Sequence, residues 1–222
     1  MVEYVQYTKS KGPRIFKFGK YSFSTTEIKH LSFALIMITI TLMLFNKQFS
    51  NNNNIGIINF IIINLFTIGL GFILHELGHK FVAQYFGFIS EFRADFVMLT
   101  VILILALVSP ILFLAPGAVL ILGRPTKKEN GIISVAGPIV NLTLAIIFLL
   151  ISIIFKPNIN SLIGYICWLG IWVNSFLGIF NMLPFWVLDG KKVLTWNKSI
   201  YFSVLIPLIF LLIGSWNYWF IF

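Results

Sequence analysis

Apolar runs separated by short polar breaks divide the chain into blocks, and the block lengths are those of a membrane protein. About 20 consecutive apolar residues span a bilayer as a helix. The first block runs from about Leu31 to Phe49 and ends at the polar break Asn51–Asn54. The second starts near Ile55, runs through Leu74 into a polar cluster at His75, and continues as helix to about Phe86. A third covers 96–122, interrupted by Ser109-Pro110 and by Ala115-Pro116-Gly117. Three more follow: Ile132–Phe155, Leu162–Leu183 and about Ile200–Phe222. The pattern predicts an all-α polytopic membrane protein with about five spanning helices. It shows no internal repeat, long linker or appended soluble stretch, so one integral-membrane domain is expected over 1–222.

Composition supports the blocks. The chain is 59% hydrophobic and 10% charged, whereas a soluble domain is about half apolar and about a quarter charged. Surplus apolar surface of this kind must face lipid. The formal charge of +9 would suggest nucleic acid in a soluble protein. Here the bases sit between apolar runs and read as topology signals, so no nucleic-acid partner is expected. The lone Cys167 lies in an apolar run and reads as packing.

Basic loops stay in the cytoplasm. Lys9, Lys11, Arg14, Lys17, Lys20 and Lys29 precede the first span; Arg124, Lys127 and Lys128 precede the fourth block; Lys191, Lys192 and Lys198 precede the last. The loops after the first and fourth blocks carry only Lys47 and Lys156. This predicts a cytoplasmic N-terminal segment over 1–30, which lacks the apolar core and cleavage site of a secretory signal. Residues 96–122 must then enter and leave by one face. Each half, about a dozen residues, is too short to span. A re-entrant or membrane-associated hairpin turning near Ser109-Pro110 fits, with a single crossing as the rival.

The chemistry lies in His75-Glu76-Leu77-Gly78-His79. Residues four apart share a helix face, so His75 and His79 can bind one zinc ion, and Glu76 can take a proton from a water activated there. Ordinary helix residues are the plain alternative. Inside a span that alternative is weak, because ionisable groups there cost about 2.5 kcal/mol or more and are functional by default. A catalytic zinc site needs a third protein ligand and an open position. The carboxylates beyond the motif are Glu3, Glu27, Glu91, Asp95, Glu129 and Asp189. Depth favours Asp189. Under the topology above, it lies at the inner end of the fifth span, level with the inner end of the histidine-bearing second span. A plain Asp-Gly turn is the other reading of Asp189. Asn174 and Asn181 lie seven apart on one helix face, where interhelical hydrogen bonds are the dull reading. Pro184 should end the helix near Leu183, and His30 reads as interfacial.

The chain here resembles the site-2 protease family of intramembrane zinc metalloproteases, in a minimal prokaryotic form. Three ordered motifs carry the resemblance: His75 to His79; Gly137-Pro138 with Asn141; and Asn181 with Pro184 and Leu188-Asp189-Gly190. They cover a core of roughly 55–195. The resemblance implies one Zn2+ per chain held by His75, His79 and Asp189, with Glu76 as general base. It implies that Asn141 is a polar group facing the active site, in contact with substrate backbone or an oxyanion; a helix–helix hydrogen bond or an N-terminal helix contact is the equal alternative for Asn141. It also implies a transmembrane protein substrate, a lipid-embedded enzyme in a prokaryotic cell membrane, and an active site toward the cytoplasm. Oligomeric state stays open. Two rivals stand beside it: a CAAX-processing type of membrane metalloprotease, with a distant glutamate as third ligand, and a non-catalytic zinc-stabilised adaptor for membrane helices.

Overall fold

The computed structural model describes residues 14–49, 56–108 and 116–221. Among these, five helices are long and apolar enough to cross a bilayer. The first is α1 (Thr25–Phe49). The second is a continuous rod made of α2 (Ile57–Asn64), a π-helical turn (Leu65–Gly69) and α3 (Leu70–Tyr85). Large apolar side chains stand outward on the spans: Ile58, Phe155 and Phe210 are each about 70% exposed. This is the pattern of surfaces solvated by lipid. The fold is an all-α polytopic membrane architecture carrying two small two-stranded sheets.

Local signals set where the remaining helices start and stop. The fourth block suggested a start at Ile132, but α5 (Lys127–Phe155) begins five residues earlier. The cause is a capping box. Glu129 N–H donates to Thr126 Oγ1 at 3.3 Å, and Thr126 N–H donates back to Glu129 Oε2 at 2.7 Å. Such caps stabilise a helix by about 1 kcal/mol. The fifth span, α6 (Leu162–Asn181), starts after the Ser161 cap and ends three residues before Pro184. The basic 189–198 loop contains a short helix, α7 (Asp189–Trp196), followed by α8 (Lys198–Ile221).

The region 96–122 begins and ends at one place. Strand β3 (Ile89–Ala94) pairs antiparallel with β4 (Gly117–Leu122), and Asp95 N–H donates to Pro116 O at 3.0 Å. An excursion whose two ends are hydrogen-bonded makes no net crossing, as the re-entrant reading expected. It differs in form from a simple hairpin. Its first part is the short helix α4 (Phe96–Val108), which buries Leu99, Ile102 and Ala106. Residues 117–122 are a strand rather than a hairpin arm. Backbone at membrane depth must have its N–H and C=O groups paired, and β3 supplies a partner. The expected turn at Ser109-Pro110 and the break at Asn51–Asn54 lie outside the described residues.

The described part of the N-terminal segment carries regular structure. Strands β1 (Ile15–Phe18) and β2 (Tyr21–Ser24) form a hairpin, with Gly19 at φ 60° in the two-residue turn. Left-handed backbone is what such turns require and glycine accepts. Helix α1 then starts at Thr25, six residues before the apolar block, with Ser24 Oγ accepting from Glu27 N–H at 3.1 Å.

In a background where Cys167 is serine, cysteines placed at Asp95 and Arg124 should react with a membrane-impermeant maleimide from one face. A cysteine at Lys156 should react from the other. Labelling of positions 95 and 124 from opposite faces would show that 96–122 crosses the bilayer.

Candidate metal centre

Three segments far apart in sequence meet at one buried point. His75 and His79 stand one turn apart on α3, and Asp189 opens α7 just beyond α6. His79 Nε2 lies 3.0 Å from His75 Nε2 and 3.1 Å from Asp189 Oδ2, and His75 Nε2 lies 3.6 Å from the same oxygen. A tetrahedral zinc ion with bonds of about 2.0–2.1 Å holds its ligand atoms roughly 3.3 Å apart. The triangle has the right size for one ion. Among the described residues, this is the group of histidines and carboxylates that could hold a metal.

The histidine tautomers point the same way. His75 Nδ1–H donates to Asn141 Oδ1 at 2.6 Å, and His79 Nδ1–H donates to Ile133 O at 2.8 Å. Each Nε2 is thereby left as a lone-pair donor facing the other. Two lone pairs and a carboxylate oxygen in such proximity repel one another unless a cation sits among them. Lys192 Nζ stands 3.6 Å from the second oxygen of Asp189, Oδ1.

The glycines of the motifs clear space for this approach. A Cβ at Gly137 would lie 2.5 Å from His79 Nε2 and 2.6 Å from His75 Nε2, so any side chain there fills the ion's place. A Cβ at Gly190 would collide with the backbone of Met182 and Leu183, so only glycine lets the Asp189 turn pack under the end of α6.

Asn141 sits behind His75. It is fully buried, and both of its amide hydrogens are engaged: Nδ2 donates to Gly71 O at 3.3 Å and to Asn174 Oδ1 at 3.1 Å. Asn174 Nδ2 in turn donates to Gly170 O at 2.9 Å. The relay fixes the amide orientation and engages both amide hydrogens of Asn141 within the protein. The sequence paired Asn174 with Asn181 on one helix face; that Asn174 supports Asn141 is set by the packing of α5 against α6. Asn181 lies at the cleft itself and donates one N–H to Leu177 O at 3.0 Å.

The other carboxylates have separate roles. Glu27 pairs with Lys80, Glu91 with Arg93, Asp95 accepts from Met98 N–H at 2.9 Å, and Glu129 closes the α5 capping box. Glu3 lies outside the described residues. His30 Nδ1 accepts from Ala94 N–H at 3.1 Å. Cys167 is buried in packing.

The cleft over the centre is lined by Glu76 and Asp189 on one side and by Gly117 and Val119 of β4 on the other. Phe92 lies opposite Val119 and turns its own N–H outward to Glu27, so Val119 N–H turns away from β3. Among the described residues no strand pairs with that edge of β4, and it faces the cleft.

Asn141→Leu should lower zinc affinity about 10–100-fold, the usual effect of removing a group that orients a metal-binding histidine. Gly137→Ala should abolish stoichiometric zinc. Chelator competition on purified protein measures both, and unchanged zinc affinity in Asn141→Leu would contradict the relay.

Comparisons with known proteins agree with this chemistry. A protein of Methanocaldococcus jannaschii, named as a putative zinc metalloprotease, is 43% identical over 190 residues, which take in 85% of this chain and 94% of the relative. A second protein of that organism, named as a zinc metalloprotease, is 28% identical over 166 residues, or 74% of this chain and 40% of that protein. The chain thus spans less than half the length of the second relative. No family model and no solved structure matches the chain. Similarity along nearly the whole of the first relative, together with a buried group fit for zinc, shows that this chain belongs to the zinc metalloprotease family.

Proposed function

We propose that the chain is an intramembrane zinc endopeptidase of the site-2 protease type, with His75, His79 and Asp189 as ligands of one zinc ion and Glu76 as general base. The convergence of these three side chains in a cleft among membrane-spanning helices carries the reading. Zinc, when bound, supplies Lewis-acid polarisation and water with a pKa near 7.

The chain's own groups do the rest. Asn141 and Ile133 O hold the two imidazoles so that both Nε2 atoms face the centre. Glu76 takes the proton of the attacking water and delivers it to the leaving amine. A substrate span hides its carbonyls in its own helix, so the scissile segment must unwind before it can be attacked. The open edge of β4 offers main-chain partners to an extended peptide, the mode by which sheets commonly bind strands. Asn181, at the same cleft, supplies a polar contact for that backbone. The charge pattern of the loops supports a cytoplasmic N-terminus and a centre reached from the cytoplasmic side of a prokaryotic membrane. A CAAX-processing site is less favoured, since Glu91 and Glu129 are committed elsewhere.

Glu76→Gln should keep full zinc content and lose about 10²–10⁴-fold in kcat on a membrane-anchored peptide. Asp189→Ala should lose the zinc. Cleavage that survives in Glu76→Gln would overturn the base assignment, and a wild-type protein that holds zinc but cuts no membrane substrate would favour the adaptor. Chelation should abolish activity and added zinc restore it.

A further inference from the structure

The sheet beside the centre has two unlike edges. The edge of β4 is open toward the cleft. The outer edge of β3 is closed by side chains, one at each residue whose polar groups point outward. Ser90 O accepts from Gln84 Nε2 at 3.2 Å, Phe92 N–H donates to Glu27 Oε1 at 3.0 Å, and Ala94 N–H donates to His30 Nδ1 at 3.1 Å. Gln84 belongs to α3, while Glu27 and His30 belong to the first turns of α1.

Glu27 is the centre of this closure. Its second oxygen pairs with Lys80 Nζ, and both side chains are wholly buried. Lys80 directly follows His79, and its ammonium lies 3.8 Å from the centroid of the Phe23 ring. Ser90 Oγ donates to Lys80 O at 3.2 Å, so the same residue is tied to β3 twice. Phe92 pairs with Val119 across the sheet, and Val119 lines the cleft together with Glu76. A short chain of contacts therefore runs from Lys80 on the histidine helix through Glu27 to β3 and on to β4, which shares the cleft with Glu76. A buried ion pair brings little net stability over apolar residues of similar size, so stability alone does not account for it. Geometry does: one carboxylate holds a strand and a helix at a fixed separation.

We propose that Glu27, with Lys80 as its counter-ion, is a positioning residue for the reaction, clamping the β3–β4 sheet to the histidine helix so that the open edge of β4 stands over the metal centre. The inference rests on the peptidase reading above. It assigns to the N-terminal helix a role in substrate placement rather than in metal binding.

Two double variants test it, because each removes the buried charge pair and they differ only in the acceptor left for Phe92 N–H. E27Q/K80M keeps an amide oxygen there; E27L/K80M keeps none. Cleavage of a fluorophore–quencher peptide with one apolar span is measured in detergent, beside zinc content and melting temperature. E27L/K80M should keep its zinc and raise KM about tenfold with a much smaller change in kcat, as expected when one buried N–H loses its partner. E27Q/K80M should recover most of that loss. Equal KM values in the two variants overturn the proposal, and so does loss of zinc from E27L/K80M alone. Should E27L/K80M not fold, His30→Leu reads the same strand edge, and an unchanged KM there overturns the proposal. Failure of the wild-type protein to cleave would instead strike the peptidase reading, before any variant is compared.

Discussion

Two imidazoles and a carboxylate brought together in a membrane repel one another unless a cation holds them, and most of the architecture can be understood as serving that meeting. The histidines need a straight helix with a four-residue spacing, which α3 supplies. The carboxylate needs the chain to stop at the end of α6, turn sharply and start again, which Pro184 and Gly190 permit. Between them α5 must pass close enough to present Ile133 O and Asn141 to the far sides of the rings, which a glycine at 137 allows. Each of these choices alone looks like ordinary helix punctuation. Together they leave a place of one ion's size, with free lone pairs directed at it.

A second polar layer surrounds the first. Asn174 supports Asn141 from behind, and the Glu27–Lys80 pair joins α1, α3 and β3 on the other side. Buried polar groups in lipid are costly unless satisfied, and these satisfy one another. The sheet illustrates the same economy. Its outer edge is closed by side chains, its lower face is buried through Phe92 against Phe72, and its upper face carries exposed Leu120 and Leu122. The edge left open is the one that faces the cleft.

Much of this was legible in the sequence. Block lengths located the spans, because hydrophobic thickness fixes how many apolar residues a helix needs. The distribution of lysine and arginine required 96–122 to return to its starting face, and the Asp95–Pro116 hydrogen bond accords with that. His75, His79 and Asp189 were placed together by equal depth at the ends of two spans. The pieces that escaped are those where pairing or packing outweighs local pattern. Gly117–Leu122 reads as the tail of an apolar block, and only β3, more than 20 residues earlier, makes it a strand. Glu27 was one polar residue in a basic segment until the fold put Lys80 beside it. Asn141 stood open between a site-facing group and a helix–helix contact, since nothing local shows that Gly71 O and Asn174 take both of its hydrogens.

The central claim is that one zinc ion joins α3 to α7. Anomalous diffraction at the zinc absorption edge, on crystals of the protein purified without chelator, addresses it most directly. The account predicts a single peak about 2.0–2.2 Å from His75 Nε2, His79 Nε2 and an oxygen of Asp189. A peak held by the histidines and some other carboxylate, or none within reach of Asp189, would contradict it.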